Sequence, residues 1–270
     1  MAAHPYWVEQ LRLTNACEKC DLRGADLKGW DLSGAQLKGA LLTGADLRRA
    51  NLPNADLQFA NLIDADLRDA NLNRADMVGA NFTNANLSRA NLSWTKMWEA
   101  HLRDANLTGA DLSGAILTGV YMAGVNLTGA NLGGTQLERT NLTDARLERA
   151  YLGVANLKNA LLTRADLRGA DLNQADMGSA HMNYAQLSGA DLIYAKLNGA
   201  YLQYANLTGT NLRYADLTGA HLQNANLIGA TPTGANFTQV NLLGATGDKL
   251  YLGILCRTTM PSGRIHNPSC

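Results

Sequence analysis

Over 270 residues the chain carries 23 acidic and 23 basic residues, 46% apolar residues and four cysteines. That balance excludes a uniformly cationic surface for polyanions and an overall acidic mimic of nucleic acid; only an uneven distribution of charge could restore either. No apolar run approaches the roughly 18 residues of a membrane span, so no span is expected.

Residues 1–19 read as an N-terminal cap. Met1–Trp7 has neither the basic start nor the apolar middle of a secretory signal, which an exported protein would have had removed. Pro5 can open a helix, and Tyr6, Trp7, Val8, Leu11 and Leu13 would give it an apolar face over the first coil of the repeat array. Such a cap is needed because the open end of a stacked β-structure exposes unpaired N–H and C=O groups.

From residue 20 to 246 one rule holds. A small residue, then Asp or Asn, then Leu, then two variable residues restart every five positions. Of the 45 central positions, residues 22, 27, 32 and onward to 242, 37 are Leu, five Met, two Phe and one Pro232. Two residues before the centre, 36 of 45 positions are Ala. A helix would smear such a repeat around its axis by about 140° per unit. A β-solenoid instead lays one unit on each flat side and turns a corner between units. Of 26 glycines, 20 sit two residues after a centre, where a corner can use positive φ.

The residue just before the centre is Asp or Asn in 29 units. Of the 16 departures, seven fall in one column spaced by multiples of twenty: Leu41, His101, Tyr121, Leu161, His181, Tyr201 and His221. Five more, Gln36, Lys96, Ile116, Gln136 and Lys196, fall in the preceding column. This clustering predicts four units per coil, hence about eleven four-sided coils and a body about 54 Å long at about 4.8 Å per stacked strand.

Units such as Ala65-Asp66-Leu67 and Ala105-Asn106-Leu107 resemble the pentapeptide-repeat family, and the likeness spans roughly residues 20–245. The resemblance implies an all-β fold, a right-handed quadrilateral β-helix, in a family abundant in cyanobacteria. The stretch Asn15-Ala-Cys17-Glu-Lys-Cys20-Asp-Leu22 and the ending Cys256–Cys270 resemble members exported to the periplasm or the thylakoid lumen.

Residues 247–270 read as a C-terminal cap. Pro232 at a centre cannot donate to the ladder, so its coil is expected to be distorted. Leu250, Tyr251, Leu252, Ile254 and Leu255 are expected to form a lid. The turn Pro261-Ser262-Gly263 makes residues 254–260 and 264–267 a candidate hairpin.

The cysteines lie outside the array, Cys17 and Cys20 before it and Cys256 and Cys270 after it. One zinc site would need all four thiolates about 2.3 Å from the ion, which the array between them forbids. Two local disulfides in an oxidising compartment are the favoured reading. The alternatives are a redox-active Cys17-x-x-Cys20, although no thioredoxin-like βαβ pattern comes after it, and free thiols in a cytoplasmic protein.

No nucleophile elbow, phosphate loop or metal-protease motif occurs, so no enzyme and no cofactor is expected. Asp26, Asp46 and Asp66 should stack as a ladder that bonds turn amides, relieved by Arg23, Arg48 and Arg68. His181 and His221 would lie about 10 Å apart with Tyr201 between them, too far to share a metal that holds nitrogen at about 2.1 Å. Trp94, Lys96, Trp98 and His101 surround Thr95, with Ile116 close by. They read either as an interaction patch or as self-packing, with Arg74 stacked on Trp94. Tyr184 above Tyr204 and Tyr194 above Tyr214 read as structural stacks.

The expectation is a non-enzymatic scaffold or protein-binding rod, with an unidentified protein partner. It would bind through Trp94, Lys96, Trp98, His101, Ile116 and Tyr121, extending to His181, Tyr201 and His221. The capped ends favour a monomer. The alternative implied by the family is a DNA-mimic binder of a topoisomerase, disfavoured here by zero net charge.

Overall fold

The computed structural model describes residues 5–267, in two compact units, Met1–Gln136 and Leu137–Cys270. The five-residue rule becomes backbone in the same way throughout both. In the unit centred on Leu47, the N–H of Leu47 donates to the carbonyl of Asp66 (2.7 Å), that of Arg49 to Arg68 (2.9 Å) and that of Asp46 to Ala25 (2.9 Å). Single-residue parallel bridges such as Asp26 with Asp46 and Asp46 with Asp66 repeat at a separation of twenty. Four pentapeptides therefore make one coil.

Each corner is a tight turn. The N–H of Ala50 donates to the carbonyl of Leu47 (3.0 Å), and Arg49 between them has φ 58°, as a type II turn requires of its third residue. The corresponding residue of every array unit, Gly24 to Gly244, has positive φ whether or not it is glycine. The Asp/Asn habit has an equally local cause. Asp46 Oδ1 accepts the N–H of Arg48 (3.1 Å), and Asn81 Oδ1 that of Thr83 (3.0 Å), filling an amide that the turn leaves open. The central leucines and small alanines point inward and are buried almost without exception, giving a core of alternating large and small side chains.

In the first unit, helix α1 (Pro5–Thr14) caps the array. Its contact is narrower than five apolar residues suggest: Leu11 is buried, while Tyr6 and Leu13 are exposed. The lattice begins slightly before residue 20. Ala16 bridges Gln36, the N–H of Cys17 donates to the carbonyl of Gln36, and Lys19 has φ 54°. Cys17 thus takes a central position and Cys20 an alanine position, both buried and joined by a disulfide.

In the second unit, Pro232 does not distort its own coil. It is buried at its centre, Thr231 bridges Asn211, and the N–H of Ala235 donates to the Pro232 carbonyl (2.9 Å). The irregularity falls one coil later, where the donor missing from Pro232 would have reached. There a 3-10 turn, Leu250–Leu252, stands in for a full side, meeting the N–H of Gly234 through the Leu252 carbonyl (3.3 Å). The ladder then resumes: Ile254 bridges Asn236 and Thr259 bridges Asn241, now eighteen residues apart. Leu255 is buried as a centre and Arg257 takes the corner with φ 51°. Of the expected lid only Leu250 and Leu255 turn inward; Tyr251, Leu252 and Ile254 stay exposed. Strands β1 (Thr258–Thr259) and β2 (Ile265–His266) pair antiparallel across the Pro261-Ser262-Gly263 turn. No described cysteine is free, and the expected pairing of Cys256 with Cys270 lies outside the described residues.

Candidate docking faces

In the first unit, the two columns that depart from Asp/Asn run side by side. Asp76, Lys96 and Ile116 bridge in succession, as do Asn81, His101 and Tyr121. Asp76 and Asn81 still accept their turn amides. Lys96, Ile116, His101 and Tyr121 have no oxygen placed to do so, and each forgoes a bond worth about 0.5–1.5 kcal/mol. Two of them present apolar surface instead, Ile116 and Tyr121 at 40% exposure each, and Trp98 adds to it at 46%. Val78, one coil before Trp98 in its column, is only 7% exposed. Lys96 approaches Asp76 at 4.0 Å, a long and solvent-screened pair.

Trp94 is more exposed than Trp98, Ile116 or Tyr121, at 63%, and occupies a corner with φ 61°. Its ring lies across Gly114, one coil onward, in the opposite direction from Arg74, so the packing expected against Arg74 is replaced by packing on glycine. Thr95 is fully buried, its hydroxyl donating to the Leu92 carbonyl (2.7 Å).

In the second unit, His181, Tyr201 and His221 bridge in succession and stack, with ring centroids 4.7 and 4.9 Å apart. The two imidazoles are separated by a full tyrosine ring and cannot share a metal ion. Tyr184 stacks on Tyr204 and Tyr194 on Tyr214, each at 5.1 Å. Gln203 and Gln223 each bury an Oε1 without a partner among the described residues.

The acidic ladder is a structural device. Asp46 and Asp66 are held below the ordinary carboxylate range, foremost by hydrogen bonds from Arg48 and Arg68 respectively. Arg23 forks onto Asp21 and leaves the ladder alone. Phe59, exposed at a corner with Lys38 5.9 Å above its ring, carries no signal in the sequence because it stands alone in its column.

Parallel coils of four pentapeptides define a β-solenoid. Residues 20–246 match the family described as Pentapeptide repeats in successive overlapping segments, and the chain belongs to that family, whose fold is a right-handed quadrilateral β-helix. Among solved structures it is similar to HetL, a pentapeptide repeat protein involved in heterocyst differentiation regulation from the cyanobacterium Nostoc sp. strain PCC 7120. The two are 30% identical over 98% of this chain and 100% of that one, with a TM-score of 0.54. It is also similar to Rfr23 from the cyanobacterium Cyanothece 51142, with 28% identity, 52% and 96% coverage and a TM-score of 0.32. A pentapeptide repeat protein of the Arabidopsis thaliana thylakoid lumen shows 34% identity, 43% and 66% coverage and a TM-score of 0.28. No curated protein matches the sequence.

Proposed function

We propose that this protein is a non-enzymatic repeat scaffold of about eleven four-sided coils that docks a protein partner. The docking face lies in the first unit and carries Trp94, Lys96, Trp98, His101, Ile116 and Tyr121. The His181–Tyr201–His221 stack is a separate contact surface in the second unit. One observation carries the reading: at four adjacent positions the chain gives up the turn bond that Asp or Asn makes elsewhere in the same columns, and two of them, Ile116 and Tyr121, expose apolar surface there together with Trp98. Stability conceded for exposed aromatic and aliphatic area is the signature of a recognition surface. Similarity to HetL, a protein involved in regulation, agrees with a binding role. The Cys17–Cys20 disulfide supports an oxidising compartment, periplasm or thylakoid lumen.

Two experiments test this. Replacing Trp98→Glu together with Tyr121→Glu should abolish capture of a specific protein from native extract while leaving the melting temperature unchanged; capture equal to the parent's defeats the docking face. A thiol count on protein purified without reductant should find none, and four reactive thiols would overturn the exported location.

A further inference from the structure

Zero net charge conceals a local surplus in the first unit. A groove of about 190 Å3 is lined by Lys28, Arg48, Arg49, Arg68, Asp69 and Arg89. The repeat builds it: Lys28, Arg48 and Arg68 come directly after the centres of three consecutive coils in one column, and Arg49, Asp69 and Arg89 hold the neighbouring corner in three consecutive coils. Three of the five cations are fixed in place. Arg68 donates Nε and Nη2 to Asp66 (2.9 and 2.6 Å), and Arg89 donates the same pair to Asp69 (2.7 and 2.9 Å). Arg48 forks onto Asp46 in the same way. Each fork uses one edge of a guanidinium and leaves Nη1 without a protein partner among the described residues. The side chains of Lys28 and Arg49 form no ion pair among the described residues. Asp26, the remaining carboxylate of the ladder, accepts the backbone N–H of Lys28 (3.2 Å). Counting it, five cations face four carboxylates, and only Asp69 among the four lines the groove.

Ion pairing within the ladder accounts for Arg48, Arg68 and Arg89. It does not account for Lys28 and Arg49, which add positive charge to the same groove and act on Asp46 and Asp69 only through space, without closing an ion pair. We propose that this groove binds a phosphate-class oxyanion, either free or as the phosphoryl head of a larger molecule. A tetrahedral dianion takes several donors from different directions. The groove offers three guanidinium Nη1 groups already oriented by carboxylates, together with one free guanidinium and one ammonium. Pre-oriented arginine forks are the donors best matched to phosphate oxygens, and they lose little rotamer freedom on binding. The site is distinct from the docking face and does not depend on it.

The test uses the full chain at low ionic strength. Inorganic phosphate and pyrophosphate are titrated calorimetrically, and vesicles containing phosphatidylglycerol are co-sedimented. Lys28→Gln with Arg49→Gln removes the two uncommitted cations and spares the three forks. Arg213→Gln with Lys249→Gln, in the second unit, matches the charge change. We expect saturable binding, weakened by added salt, unchanged in the control and about tenfold or more weaker in the groove variant. Binding of free anions and binding of vesicles alone distinguish the two sources of the phosphoryl group, and either supports the site. No saturable binding of any of the three tighter than about 10 mM, or equal binding by the groove variant, would overturn it. Unchanged circular dichroism shows that the variants are folded.

Discussion

The indole of Trp94 lies flat against Gly114, one coil onward, so closely that a Cβ at Gly114 would stand 2.7 Å from the ring. Phe59 over Gly79 and Tyr214 over Gly234 repeat the relationship. These three corner rings are seated by glycine at the same corner of the next coil, whereas Tyr184 and Tyr194 meet tyrosine there. Gly119, with φ 71°, has no atom within 4 Å of the position a Cβ would take. Alanine at Gly119 should cost only the left-handed backbone term, about 1–2 kcal/mol. Gly114→Ala should cost more and shift indole emission, a shift absent in a Trp94→Phe background. Equal losses at the two sites would mean that the ring contact contributes nothing.

Restoring the consensus at the docking face should stabilise the fold. Ile116→Asn and Tyr121→Asn each supply the oxygen that Asp56 and Asn61 supply in the same columns. Each should gain about 0.5–1 kcal/mol, read as a higher denaturation midpoint in urea at unchanged slope.

Acid should destabilise the protein in a defined window. Asp46, Asp66, Asp69 and Asp144 are lowered, foremost by hydrogen bonds from Arg48, Arg68, Arg89 and Arg164. A lowered folded pKa contributes stability that is present above the unfolded value near 3.9 and is lost as pH falls through the lower folded values. Melting temperature should hold steady from neutral pH to about 5 and then fall. Asp66→Asn should cost less than about 1 kcal/mol at pH 7, because the pair is partly exposed, and should flatten the acid limb.

Reducing the Cys17–Cys20 bond should act on one end of the molecule. The loop it closes is only three residues in separation, so the loss is about 2 kcal/mol. Hydrogen exchange should rise first at Cys17, Lys19 and Leu22, whose amides pair with the next coil, while amides around Leu87 stay protected.

Much of this architecture was legible from the sequence because each unit repeats the same local solution. Alanine and leucine spacing give the inward face, Asp46 and its counterparts give the turn bond, and the columns through His101 and Lys96 give four units per coil. What escaped depended on contacts between coils. The direction in which Trp94 would fall, toward Arg74 or Gly114, is a choice between two neighbours that periodicity leaves equal. The irregularity tied to Pro232 appears a coil later because the missing donor belongs to the next layer. Lys28, Arg49 and Arg89 stand far apart along the chain, and only the twenty-residue coil gathers them into one groove.

The docking face is tested most directly by placing a photoreactive amino acid at single positions and irradiating the protein in native extract. Tyr121 lies on the proposed face; Asn131 lies two sides further round the same coil, in a column that keeps Asp or Asn throughout the first unit. We predict a discrete cross-linked protein from position 121 and none from position 131. The same product from both positions, or a product from position 131 alone, would contradict the account.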